Sequence, residues 1–196
     1  VAWHERNRPH TCAYDDYLMR CLIHSTIADV SRKQQVGYDA VEGSLKRRIE
    51  AEVDWSAIEY IGTLGMDEIA LRKGKRDFVL VITARHEGQI RILAVLPDRK
   101  KATARQFFET IPDTLHATNE AVCSDMWEGY INAAKAFRQA HETVQFDVVV
   151  DRFHSGFVEG LNNKIKTIKQ RCYGLTDIQR VFQHIYLDLE GFRLFA

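Results

Sequence analysis

In Ser155-Gly-Phe-Val-Glu159-Gly-Leu-Asn-Asn-Lys-Ile-Lys166-Thr-Ile-Lys-Gln-Arg171 the apolar residues Phe157, Leu161, Ile165 and Ile168 recur at spacings of three and four. That period makes one buried line along a helix. A neighbouring face carries Glu159, Asn162, Asn163, Lys166 and Gln170. Most amphipathic helices simply turn such a face to water. Here two carboxylates earlier in the chain, Asp67 and Asp125, each close an apolar strand pattern and give the polar face possible partners.

Working outward, Ile61 to Asp67 reads as a short strand ending on the acids Asp67-Glu68, followed by a basic turn, Arg72-Lys73-Gly74-Lys75-Arg76. Phe78 to Thr83 and Ile90 to Leu96 are β-rich runs joined through a hairpin turn at Glu87-Gly88. Ala102 to Ile111 is helical, with Phe107, Phe108 and Ile111 on one side and Pro112 at its end. Glu120 to Ser124 is a fourth strand delivering Asp125, Trp127 to Ala140 a helix, and Val144 to Val150 a fifth strand ending at Asp151. After the opening helix, Thr176 to Leu189 closes the pattern with Ile178, Val181, Phe182, Ile185 and Leu189 at helical spacing. This order predicts an α/β fold, a ribonuclease H-like mixed five-stranded sheet flanked by helices.

In that topology the first and fourth strands are neighbours, so Asp67 and Asp125 sit side by side and Glu159 crosses near them. Three converging carboxylates repel unless divalent cations hold them, and all-oxygen ligands select Mg²⁺ or Mn²⁺. Two such ions about 4 Å apart suit metal-assisted phosphoryl transfer on a phosphodiester. Each acid also has an ordinary role open to it: Asp67 as a strand-end acid, Asp125 as the cap of the Trp127 helix. Asp151 is a reserve ligand, and Glu68 points away from Asp67 because strand side chains alternate. Lys73, Lys75, Arg76, Asn162, Asn163, Lys166, Lys169 and Arg171 are candidate DNA contacts. Lys166 stands out because it lies two helical turns beyond Glu159 on the same face.

Before the sheet, Ala13 to Arg48 holds three short helical patterns with Val36-Gly37 between the last two. This is the layout of a helix-turn-helix unit, with Lys46 and Arg47 on its third helix as further DNA candidates, although Gln35 stands where such turns usually carry Gly. A purely structural helical lead-in fits the same pattern. The domain expectation is 1–55 for this unit and 56–196 for the catalytic domain. The 196 residues, 45% hydrophobic, are enough for a substantial core. Lys plus Arg and Asp plus Glu both number 27, so a nucleic-acid partner must be held by local patches rather than by a global field. The four cysteines form no Cys-x-x-Cys pair, which argues against a zinc site or a disulfide framework. No apolar run approaches the ~20 residues of a membrane span. A start at Val1 rather than Met suggests a fragment.

Several strings are specific: Gly65-Met-Asp67-Glu-Ile-Ala-Leu-Arg-Lys73-Gly74, Ser124-Asp125-Met-Trp127-Glu-Gly-Tyr130, Val150-Asp-Arg-Phe-His154, Ser155 to Lys166, and the tail Leu187-Asp-Leu-Glu-Gly-Phe-Arg-Leu-Phe195. Together they resemble bacterial insertion-sequence transposases of the ISL3 family, from about residue 10 onward. The resemblance implies that Asp67, Asp125 and Glu159 are an Asp-Asp-Glu triad using Mg²⁺ or Mn²⁺. It also implies cleavage of double-stranded DNA at transposon ends, joining of the 3′-hydroxyl to target DNA, self-association on DNA, and residence with the bacterial nucleoid. Two family features are missing from this sequence, a cysteine-rich zinc ribbon at the start and a long helical insertion where His154 and Ser155 are adjacent. The expectation is therefore a shortened transposase, with a catalytically inactive binder of terminal repeats as the alternative.

Overall fold

The computed structural model describes residues 10–71, 78–124, 155–172 and 175–195, without the side chains of 155–159, 161 and 162. Three helices come first: α1 (Cys12–Leu22), α2 (Ile27–Gln34) and α3 (Tyr38–Arg48). Thr11 and Thr26 begin the first two, their hydroxyls accepting from the backbone N–H of Tyr14 (3.2 Å) and Asp29 (3.0 Å). α2 stops at Gln35, whose φ of 53° is the left-handed conformation that glycine usually supplies at a helix end. Ser31 Oγ donates to the Val36 carbonyl across the turn (2.6 Å). Leu18, Met19, Leu22, Val30, Val41 and Leu45 fill the space between the three helices.

Strands β1 (Gly62–Ala70), β2 (Phe78–His86), β3 (Gln89–Leu96) and β4 (Asn119–Ser124) form one sheet in the order β3-β2-β1-β4. The first three are antiparallel neighbours, with Glu87 (φ 48°) and Gly88 (φ 79°) making the second connection as a two-residue turn. β4 joins parallel to β1 after a crossover through α4 (Lys101–Phe108) and α5 (Asp113–His116). The first and fourth strands are thus adjacent, as the element order predicts. The expected helix at 127–140 and strand at 144–150 lie outside the described residues.

Several boundaries differ from expectation, among them the end of β2, which runs to His86 rather than Thr83. β1 does not end on Asp67: its ladder with β2 continues to Ala70, because Ile69 and Leu71 still bury beneath helices. Among the described residues its pairing with β4 runs to Met66 and Ser124. The helix after β3 stops at Phe108 rather than Ile111, and Pro112 starts α5. The last helix, α7 (Ile178–Phe195), runs past Leu189 because its far end packs along α1.

The sheet is covered on both faces. Leu64, Met66, Leu80, Ile82 and Val122 pack with Phe107, Phe108 and Leu115 of α4 and α5. Ile69, Val79, Val81 and Ile92 pack with Ile165 and Ile168 of α6 (Ser155–Arg171) and with Val181, Phe182 and Ile185 of α7. α7 also turns Leu187, fully buried, into the core of α1–α3. Gln183 Nε2 donates to the Ile49 carbonyl (2.7 Å) and Arg180 pairs with Glu42, so α7 is bound on both sides.

Candidate functional site

Because side chains alternate along β1, and Met66 faces α4 while Ile69 faces α6 and α7, Asp67 belongs to the α6 side of the sheet. Glu68 takes the other side, where Arg99 Nη1 donates to its Oε2 (3.2 Å). Asp67 is 9% exposed, and its Oδ1 accepts from the Glu68 backbone N–H (2.6 Å). Its charge reaches the next strand: burial first, and the Asp67 carboxylate second, push the Cys123 thiol on β4 above its ordinary pKa. Another carboxylate brought to this end of β4 would meet the same field, and a cation is what relieves it.

Asp125 follows Ser124 in the sequence and lies outside the described residues, as do Asp151, Lys73, Lys75 and Arg76. Glu159 sits on the backbone of α6, just past its first turn, and α6 packs against both β1 and β4. At about 100° per residue, Glu159, Asn163, Lys166 and Gln170 share one stripe. Asn163, Lys166 and Gln170 are exposed, whereas Ile165 and Ile168 are buried against the sheet. Asn163, Lys166 and Gln170 are therefore open to a large ligand and separate from the apolar line of Ile165 and Ile168.

Among the described residues no group of three or more His, Cys, Asp or Glu could hold a metal ion. Of the three candidate ligands, Asp67 alone has a described side chain. The donor chemistry nevertheless fits a hard cation, since every candidate offers carboxylate oxygen.

The basic candidates divide by what they touch. Lys166 and Asn163 lie on the exposed stripe; Asn162 lacks a described side chain. Lys169 is half-buried, and lost hydration lowers its ammonium pKa. Arg171 turns inward, donating through Nη2 to Asp188 Oδ2 at 2.6 Å. On α3, Lys46 pairs with Glu42 (3.0 Å). Arg47 Nε and Nη2 bind the fully buried Asp15 at 3.2 and 3.0 Å, beside a 2.6 Å bond from Ser44 Oγ. Burial lifts the Asp15 pKa, but the hydrogen bonds from Arg47 and Ser44 outweigh it and leave the carboxyl below its ordinary value. Among the described residues Asp15, Asp188 and Glu190 are buried acids to which the sequence analysis gives no role. For Asp188 a signal existed: it occupies an apolar slot in the spacing of Val181, Ile185 and Leu189.

No described helix is long and apolar enough to cross a membrane. A family model of ISL3-type DDE transposases, described as "Transposase", matches residues 64–155 and 154–185, two segments that meet at the His154–Ser155 junction. The chain is also 34% identical over 157 residues to the transposase for insertion sequence element IS1001 of Bordetella parapertussis. That alignment covers 79% of this chain and 36% of the relative, so the chain spans little more than a third of that protein's length.

Proposed function

This chain belongs to the ISL3 family of DDE transposases, and from that premise we propose that Asp67, Asp125 and Glu159 form its metal-binding triad for DNA strand cleavage and 3′-hydroxyl transfer at insertion-sequence ends. The observation that carries this is the β1–β4 register. Met66 and Ser124 are paired in two parallel strands, and each is followed in the sequence by an aspartate. α6, which bears Glu159, packs against the same two strands. Adjacent parallel strands and their crossover are those of a ribonuclease H-like core, in which residues 144–150 would add a fifth strand.

Within this proposal Asp67, Asp125 and Glu159 hold two Mg²⁺ or Mn²⁺ ions. When bound, the ions supply an activated water or 3′-hydroxyl and charge stabilisation at the leaving oxygen. The chain's own groups position the DNA. Lys166 and Asn163, on the exposed stripe with Glu159, grip the phosphate backbone beside the acids, and such contacts orient a duplex without reading its sequence. Lys73, Lys75, Arg76, Asn162 and Lys169 extend that track. Residues 1–55 serve as the DNA-reading unit and 56–196 as the catalytic unit, and the chain self-associates on its DNA.

The test is Mn²⁺-dependent nicking of a terminal-repeat duplex. Asp67→Asn, Asp125→Asn and Glu159→Gln should each slow nicking by about 100-fold or more, with duplex affinity retained. Lys166→Ala should instead weaken binding and lower the salt slope by about one phosphate contact. Equal nicking by the wild type and all three acid variants refutes the triad. Binding of the repeat with no nicking by the wild type would support the second reading, an inactive binder, which the missing insertion at the His154–Ser155 junction favours.

A further inference from the structure

Asp188 sits on α7 with its side chain 2% exposed, and it links α7 to two other parts of the chain. Its Oδ1 accepts from the His24 backbone N–H (2.9 Å), and its Oδ2 lies 3.3 Å from His24 Nδ1, both in the turn between α1 and α2. From the last turn of α6, Arg171 Nη2 donates to Oδ2 at 2.6 Å. Lys164 Nζ, two turns earlier on α6, donates to the Asp188 carbonyl at 3.2 Å. His24 itself is held at a φ of 56°, a conformation that a non-glycine residue keeps only where its surroundings impose it. A buried ion pair is a poor device for stability alone, since apolar side chains of the same volume often serve as well. What the carboxylate adds is direction: charge-assisted bonds fix two separate elements at one point.

We propose that Asp188 is a positioning residue, which locks the helix carrying Glu159 to the α1–α2 turn so that DNA held by α1–α3 meets the acids in one alignment. This rests on the catalytic function proposed above and adds to it a residue that touches neither DNA nor metal. From Arg171 back to Glu159 is about 18 Å of helix. A tilt of roughly 10° at the Asp188 end therefore moves Glu159 by about 3 Å, and an error of about 1 Å in a reacting group already costs up to a hundredfold in rate.

Asp188→Asn keeps the volume and the acceptor for His24 while removing the charge. Leu18→Ala, in the core of α1–α3 and away from the network, controls for lost stability. Full-length proteins are compared while folded, by Mn²⁺-dependent nicking of a terminal-repeat duplex and by hydrogen exchange at residues 160–171 without DNA or metal. Asp188→Asn should nick about tenfold slower at saturating DNA, with its duplex Kd within about twofold of wild type. Its α6 amides should exchange about tenfold faster, while Leu18→Ala leaves them unchanged. Nicking and α6 exchange equal in the two variants overturn the proposal. If the wild type does not nick, the catalytic function fails separately, and the exchange result decides alone: faster α6 exchange in Asp188→Asn upholds the lock, and unchanged exchange removes it.

Discussion

His184 lies one helical turn before Asp188, buried, with Nδ1 3.7 Å from Cys172 Sγ. Burial drives its pKa down to about 4, opposed by Asp188 and reinforced by Arg171 and Arg180. An unfolded chain protonates the same ring near ~6.5. Since the folded value is the lower one, the stabilisation is complete above the unfolded pKa and drains away as pH falls toward about 4. At ~1.4 kcal/mol per unit, the full loss is on the order of 3 kcal/mol. His184→Gln should flatten the melting temperature across that interval, which a pH series of thermal melts will check. Little of this is visible in a string of letters. Asp188 betrays itself by occupying an apolar slot, but its partner His24 is 164 positions away, and no local pattern pairs them. Asp67 is the opposite case, because its place on a strand beside the fourth follows from the order of elements.

Elements were legible where their periods are, and less so at their ends. The hairpin at Glu87-Gly88 follows from two β-rich runs and a residue suited to positive φ. The end of β1 does not, because pairing with β2, not alternation, carries the strand on to Ala70. The start of β1 is equally hidden. Gly62 has a φ of 66°, and a Cβ there would lie 2.3 Å from the Arg85 carbonyl oxygen. The register also slips between Gly62 and Thr63 in the ladders to both β2 and β4. The glycine therefore lets β1 enter the sheet with a bulge that sets the register on both sides. Gly62→Ala should destabilise the protein by about 1–3 kcal/mol, read as a lower urea midpoint. Because the Met66–Ser124 pairing depends on that register, nicking by the folded variant should also fall.

On the scale of the whole molecule, a division at residue 55 captures the change of pattern but not the packing. α7 fills the sheet core with Phe182 and Ile185 and the α1–α3 core with Leu187. Helical spacing announces one buried face for α7; the second became visible only with α1 in place. Two expectations follow. Leu187→Ala should cost about 2–5 kcal/mol, and calorimetry of the full chain should show one transition covering both cores rather than two. A fragment ending at residue 55 should lack cooperative unfolding, because Leu187 is missing from its centre. The order of synthesis adds a consequence. Parts of a chain generally begin to fold as they leave the ribosome, yet the segment that seals both cores is made after every other described element. Neither half can reach its finished form before the segment from Ile178 onward has been made, so a polypeptide stopping short of Ile178 would keep both greasy seams open, material for proteases rather than a competing DNA binder.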